Sequence, residues 1–158
     1  IGCSLALACD LVLAAESSYL LLAFVNIGLV PDGGASAVLP ARTGVARANE
    51  LAMLGERVTA PQALEWGLIN RAVPDDELDA TVADLMRRAT RGSALSKANG
   101  KRAFYTQIDL DQPHAYEYAI EIMAAGVAEP DGQEGIRSFL EKRHPSFTQR
   151  AQPLAVDA

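Results

Sequence analysis

The chain has 158 residues, 49% of them hydrophobic and 22% charged. That is enough for one domain with a real core and too ordinary for a disordered or collagen-like chain. Fourteen Lys and Arg against twenty Asp and Glu leave a formal charge of −6, the wrong sign for a nucleic-acid binder, whose affinity rests mainly on neutralising phosphates.

The longest apolar run, Tyr19 to Val25, falls far short of the roughly 20 residues that a membrane-spanning helix needs. Cys3 and Cys9 make neither a disulfide framework nor a zinc set. The expectation is a cytoplasmic protein with no nucleic-acid, membrane or metal partner. The sequence opens on Ile1-Gly2-Cys3-Ser4-Leu5-Ala6-Leu7-Ala8-Cys9-Asp10, with no charged leader segment and no small-residue cleavage site. An uncapped apolar opening predicts that an upstream half precedes it.

In chain order, Gly2 permits a tight entry to a helix over Cys3 to Cys9. Leu11 to Ala15 and Tyr19 to Phe24 have the length and apolar content of buried strands, separated by the turn Glu16-Ser17-Ser18. Leu29-Val30-Pro31-Asp32-Gly33-Gly34 punctuates the chain, because Pro31 pushes Val30 out of the α region and the glycines permit positive φ. A helix is predicted from Gly34 to Arg42, closed by Gly44, and another over Ala46 to Leu54, ended by Gly55. Thr59, Pro61 and Gln62 form a strong N-terminal signal for a helix reaching Trp66, stopped at Gly67. Leu68 to Val73 is extended.

The remainder reads as helical. Leu78, Val82, Leu85, Met86 and Ala89 recur on one helix face. A helix follows over Ser96 to Thr106, then an amphipathic one over Ala115 to Ala128 with Tyr116, Ile120, Met123 and Val127 in a stripe. Asp131 and Glu134 are spaced as a cap pair for a last helix, Gly132 to Lys142. The tail beyond Pro145 has no periodicity and is expected to be frayed. The organisation is an α/β part over 1–73, a helical region over 74–145 and a tail over 146–158.

Two features can carry chemistry. Backbone N–H groups at the Gly2 helix entry, aimed at a carbonyl oxygen, stabilise the oxyanion that forms when electrons move onto it; the plain reading of Gly2 is a structural turn. Asp32, on a rigid turn ahead of a helix, can shuttle a proton if the turn lines an apolar pocket; the plain reading is a helix N-cap. Cys9 reads as core rather than nucleophile, and His114 and His144 lack metal-ligand spacing. Lys142 and Arg143 suit the negative end of the last helix.

Gly2 to Asp10, Gly28-Leu29-Val30-Pro31-Asp32-Gly33-Gly34, Leu54-Gly55-Glu56, Ala63-Leu64-Glu65-Trp66-Gly67-Leu68-Ile69, Glu134-Gly135 and Phe139-Leu140-Glu141-Lys142-Arg143, taken together and in this order, resemble the enoyl-CoA hydratase/isomerase (crotonase) family over almost all of residues 1–150. The resemblance implies an α/β fold of the ClpP/crotonase-like kind, a ββα spiral truncated at its N-terminus and followed by a helical trimerisation region, with trimers often paired into hexamers. It implies an acyl-CoA thioester as substrate, so that coenzyme A arrives with the substrate and no separate cofactor is needed. The thioester oxygen would be held by two backbone N–H groups, one of them that of Ile1 with Gly2 beside it, the other in the upstream half. Phe139 and Lys142 match positions that in some members meet the adenine-phosphate end of CoA bound to a neighbouring subunit.

Departures from the family pattern point to the reaction. Hydratases carry two glutamates that would fall at Ser4 and Phe24, and neither residue here can activate water. Isomerase-type members carry a single acid in the Pro-(Asp/Glu)-Gly turn, which here is Asp32. The resemblance therefore implies double-bond migration in an enoyl-CoA, or ring isomerisation of an aromatic-derived CoA thioester, with Asp32 as acid/base. Phe24, Leu29 and Val30 are expected to keep that carboxylate dry, which raises its basicity. A dehalogenase reading lacks the Trp and His that would stand at Phe24 and Val25. The alternatives are an enoyl-CoA hydratase that recruits an upstream acid, and a non-catalytic subunit or inactive fragment.

Overall fold

The computed structural model describes residues 1–148. They fall into two compact units, Ile1–Met86 and the chain from Arg87 onward.

The first unit runs α1 (Gly2–Leu7), β1 (Leu13–Ala15), β2 (Tyr19–Leu21), a 3-10 turn (Val25–Ile27), α2 (Ala35–Leu54), β3 (Arg57–Thr59), α3 (Ala60–Glu65), β4 (Arg71–Val73), a second 3-10 turn (Asp75–Glu77) and α4 (Leu78–Ala89), whose last residues pass into the second unit. β1 pairs in parallel with β4, Leu13 facing Arg71 and Ala15 facing Val73. β2 pairs antiparallel with β3, Tyr19 facing Thr59 and Leu21 facing Arg57. The strands are shorter than the apolar runs predict; Val12 and Leu22, just beyond the paired residues, are buried in the core.

That core gathers Leu7, Val12, Leu22, Leu39, Leu51, Val58, Leu68 and Ile69, with Ala35, Ala48, Ala60 and Ala63 letting the backbones approach. Fully burying a leucine such as Leu7, Leu22 or Leu68 is worth about 1.5–3 kcal/mol. Asn70 and Arg42 tie the loops to this core. Val12 N–H donates to Asn70 Oδ1 at 2.7 Å, and the Arg42 guanidinium donates to Leu68 O at 3.1 Å and Cys9 O at 2.7 Å.

The two helices predicted either side of Gly44 are both present within α2, which breaks between them where Gly44 takes the non-helical φ 75° and ψ 164°. Here Thr43 Oγ1 donates back to Leu39 O at 3.0 Å, one way a helix absorbs such a break. α3 follows the sequence expectation: Thr59 Oγ1 accepts from Gln62 N–H, Pro61 sits in the first turn, and Gly67 at φ 75° ends the helix.

The second unit holds α5 (Ala94–Gln107), α6 (Gln112–Ala128) and α7 (Pro130–Leu140). Ser93 caps α5 through Ser96 N–H at 3.1 Å, and Asp111 caps α6 through His114 N–H at 3.1 Å, so α6 starts a turn earlier than its apolar stripe suggests. The cap pair expected at the last helix is not formed. α7 begins at Pro130, with Glu129 at the cap position and no side-chain cap bond. Proline suits a first helical turn, where its missing N–H costs nothing, and this frees Asp131 to turn inward. There its Oδ1 accepts from Thr148 N–H at 3.0 Å. Glu134 Oε1 accepts from Ser146 N–H at 2.9 Å. The start of the tail is therefore tied to α7 rather than frayed, and the rest of the expected tail, 149–158, lies outside the described residues.

Candidate functional site

α1 is a helix with a bare start. Ile1 is its N-cap, with no side-chain cap bond, and its carbonyl takes the first helical bond from Leu5 N–H at 3.0 Å. The N–H groups of Gly2, Cys3 and Ser4 then have no acceptor within the helix and carry its partial positive charge.

The segment 31–34 packs against this start. Ser4, only 3% exposed, donates its Oγ–H to the carbonyl of Asp32 at 3.0 Å. Gly33 takes φ +65°, and a Cβ added there would lie 2.7 Å from Ile1 Cδ1 and 3.3 Å from Ser4 Oγ. Only a residue without a side chain lets the turn sit so close to α1. The backbone of Asp32 is thus fixed beside the first turn of α1.

The carboxylate itself is exposed, with Oδ1 accepting the Gly33 N–H at 2.6 Å. It does not cap α2, because Gly34, at φ +82°, occupies the cap position. Nor do the predicted pocket residues enclose it. Leu29 and Val30 are 58% and 79% exposed, while Phe24 is half-buried and packs against the core. The physical reason lies in the backbone: Gly28, Gly33 and Gly34 all take positive φ and carry 28–34 across the surface rather than into a fold.

The predicted CoA contacts lie in the helical unit. Phe139 is 80% exposed. Lys142 is exposed and takes φ +54°, the one non-glycine residue with positive φ among those described. It closes α7, its N–H donating to Phe139 O at 3.2 Å and that of Arg143 to Ser138 O at 3.0 Å. Arg143 is not a loose end-of-helix charge: its guanidinium forks onto Glu134 at 2.6 and 2.9 Å and reaches Glu141 at 2.6 Å. The Arg143 bond, aided by the Ser146 N–H, lowers the Glu134 pKa to about 2. The apolar cavity of about 560 Å³ in this unit, which Ile122, Ile136 and Phe147 help to line, holds none of the predicted site residues.

The cysteine reading is corrected. Cys9 is exposed, donating to Leu5 O at 3.6 Å, whereas Cys3 is half-buried against the core and burial pushes its thiol pKa up. Cys9 sits where α1 has ended and the chain turns outward. His114 lies 2.7 Å from the Asp111 carboxylate at the start of α6.

Sequence reasoning singled out Asp32 and the α1 start but missed what joins them. Ser4 drew notice as an absent acid, yet it is the hydroxyl that ties the turn to the helix. Its spacing, three residues before Leu7 on one face of α1, hints that it turns inward but not what it bonds to.

Comparison with known proteins adds the family. The family model described as enoyl-CoA hydratase/isomerase matches residues 1–150. The 1,2-epoxyphenylacetyl-CoA isomerase of Escherichia coli is 39% identical over 155 residues, covering 93% of this chain and 56% of that protein. The mitochondrial enoyl-CoA hydratase domain-containing protein 3 of Mus musculus is 36% identical over 153 residues, covering 93% and 49%. The crystal structure of an enoyl-CoA hydratase from Mycobacterium smegmatis superposes with a TM-score of 0.87 at 33% identity, covering 92% of this chain and 56% of that one. The chain spans about half the length of the curated relatives it matches, and over that span it has the crotonase fold of these structures.

Proposed function

The chain belongs to the enoyl-CoA hydratase/isomerase family, and from that membership we propose that it serves an acyl-CoA isomerase in which Asp32 moves the proton. In this reading the carboxylate of Asp32 takes a proton from a carbon activated by the thioester. The electrons pass onto the thioester oxygen, and the proton returns at a second carbon, shifting the double bond. The N–H of Ile1, with Gly2 beside it, receives the developing oxyanion. One such donor is typically worth about 3–4 kcal/mol in the transition state. The bound thioester supplies the cover that Leu29 and Val30 leave open, drying the carboxylate as it binds.

The observation that carries the reading is the docking of the Asp32 turn on the first turn of α1, through Ser4 and Gly33. An acid and a set of free N–H groups on neighbouring backbone are the two parts that an enolate-forming isomerisation requires. The E. coli relative named as a 1,2-epoxyphenylacetyl-CoA isomerase makes a ring-derived CoA thioester a substrate class to assay beside linear enoyl-CoA. Ser4 and Phe24, without carboxylates, speak against hydration. Phe139 and Lys142 are proposed to meet the phosphate end of CoA, and the helical region is proposed to build a trimer or a pair of trimers.

The test is Asp32→Asn in the full-length protein. Double-bond migration is expected to fall at least a thousandfold, while binding of a non-reactive acyl-CoA changes less than threefold. A variant that keeps the wild-type rate removes Asp32 from the mechanism. Loss of enoyl-CoA absorbance with uptake of water, retained in the variant, would instead establish a hydratase using another acid.

A further inference from the structure

We infer that Ser4 is a positioning residue for Asp32, setting where the carboxylate stands relative to the N–H groups that open α1; this rests on the reading of Asp32 as the acid/base. Ser4 is at the third position of α1, where its side chain is not the cap and its own N–H, like those of Gly2 and Cys3, has no acceptor within the helix. Its hydroxyl has a single proton to give. Buried at 3% exposure, it gives that proton not to its own helix but to the carbonyl of a residue 28 positions on.

The carbonyl it holds belongs to Asp32 itself. The same carbonyl accepts a longer bond, 3.3 Å, from Ala35 N–H, so the peptide unit carrying the carboxylate is gripped from α1 on one side and from the start of α2 on the other. Gly33 follows at once, pressed against Ile1 and Ser4. With no side chains to restrict them, Gly33 and Gly34 would let the turn swing as a pair of hinges if nothing held it. Proline at 31 stiffens the entry but does not set the distance to α1. The Ser4 bond is the polar contact that does.

Displacing a reacting group by about 1 Å commonly costs two orders of magnitude in rate. Loss of this hydroxyl acts at that level, through placement and not through binding. Ser4→Ala in the full-length protein is therefore expected to lower kcat for double-bond migration tenfold to a hundredfold, with KM changed less than twofold. Ser4→Cys, similar in size and a weaker donor, is expected to recover part of the loss and guards against a folding defect in the alanine variant. On the Asp32→Asn background, Ser4→Ala is expected to change the residual rate less than twofold, because there is no longer a carboxylate to misplace.

Val58→Ala, a core truncation away from the turn, is the control for general loosening: it is expected to lower Tm while kcat stays within twofold. The inference is overturned if Ser4→Ala keeps wild-type kcat while Asp32→Asn is inactive, or if Val58→Ala reduces kcat as much as Ser4→Ala does. An active Asp32→Asn variant removes the acid/base reading, and the positioning role with it.

Discussion

At Glu134 one carboxylate accepts from both terminal nitrogens of Arg143 and from the backbone of Ser146. Those donors favour its charged form, and the pKa drops from the usual 4.5 to about 2. A carboxyl depressed on folding contributes its stabilisation in full above the unfolded value and loses it as pH falls through the folded one. The stability difference between wild type and Glu134→Gln is accordingly expected to be largest above pH 4.5 and to shrink steadily towards pH 2. Chemical denaturation followed by circular dichroism at several pH values in that range measures it. A difference that does not change with pH would show that the pair contributes by shape alone. Residues of this kind are hard to read from sequence. Glu134 and Arg143 stand nine positions apart, across the end of a helix, and the pattern Asp131-x-x-Glu134 imitates a cap. Ser4 was harder still, since its partner lies far along the chain and the bond goes to backbone, which leaves no trace in residue type.

Among elements, α3 and α7 end in the same way with different residues. After α3, Gly67 N–H donates to Leu64 O at 3.0 Å and Leu68 N–H to Ala63 O at 2.9 Å. After α7, Lys142 and Arg143 repeat both bonds. The left-handed residue of this motif is usually glycine, and a side chain there costs about 1–2 kcal/mol. Lys142→Gly is expected to raise stability by about 1 kcal/mol, after allowing for the greater freedom of glycine in the unfolded chain, and to weaken CoA binding if Lys142 meets its phosphates. Thermal unfolding and titration with CoA read the two effects separately. Terminators of this kind explain which boundaries the sequence made visible. Gly55, Thr59 with Pro61, and Gly67 each impose a backbone geometry locally, and those helix ends fall within about a residue of expectation. Gly44 belongs with them, since its non-helical φ and ψ separate the two predicted helices within α2. The start of α7 was misread because a proline outranked the apparent acid cap.

For the molecule as a whole, the α6 stripe is the feature that a lone chain leaves unanswered. Ile120 and Met123 are 68% and 69% exposed, and Tyr116 and Val127 are also open, on a helix with no residue fully buried. Apolar side chains at helical spacing gain by being covered, which agrees with the proposed trimer. Ile120→Asp is expected to shift sedimentation of the full-length protein from a trimer or hexamer towards the single chain; an unchanged sedimentation coefficient would exclude this face from the contact. The crotonase fold was legible because several glycine-marked segments occur in one order, each tied to a turn. The exposure of Asp32 was not, since neighbouring apolar residues in sequence need not become neighbours around a side chain. The parallel pairing of β1 with β4 has a further consequence, for synthesis. Val12 and Ser17 bond to Asn70 and Asp75, each 58 positions later. At roughly 5–20 residues per second, the first strand waits some seconds on the ribosome, its apolar face unpartnered, before the segment that completes it emerges.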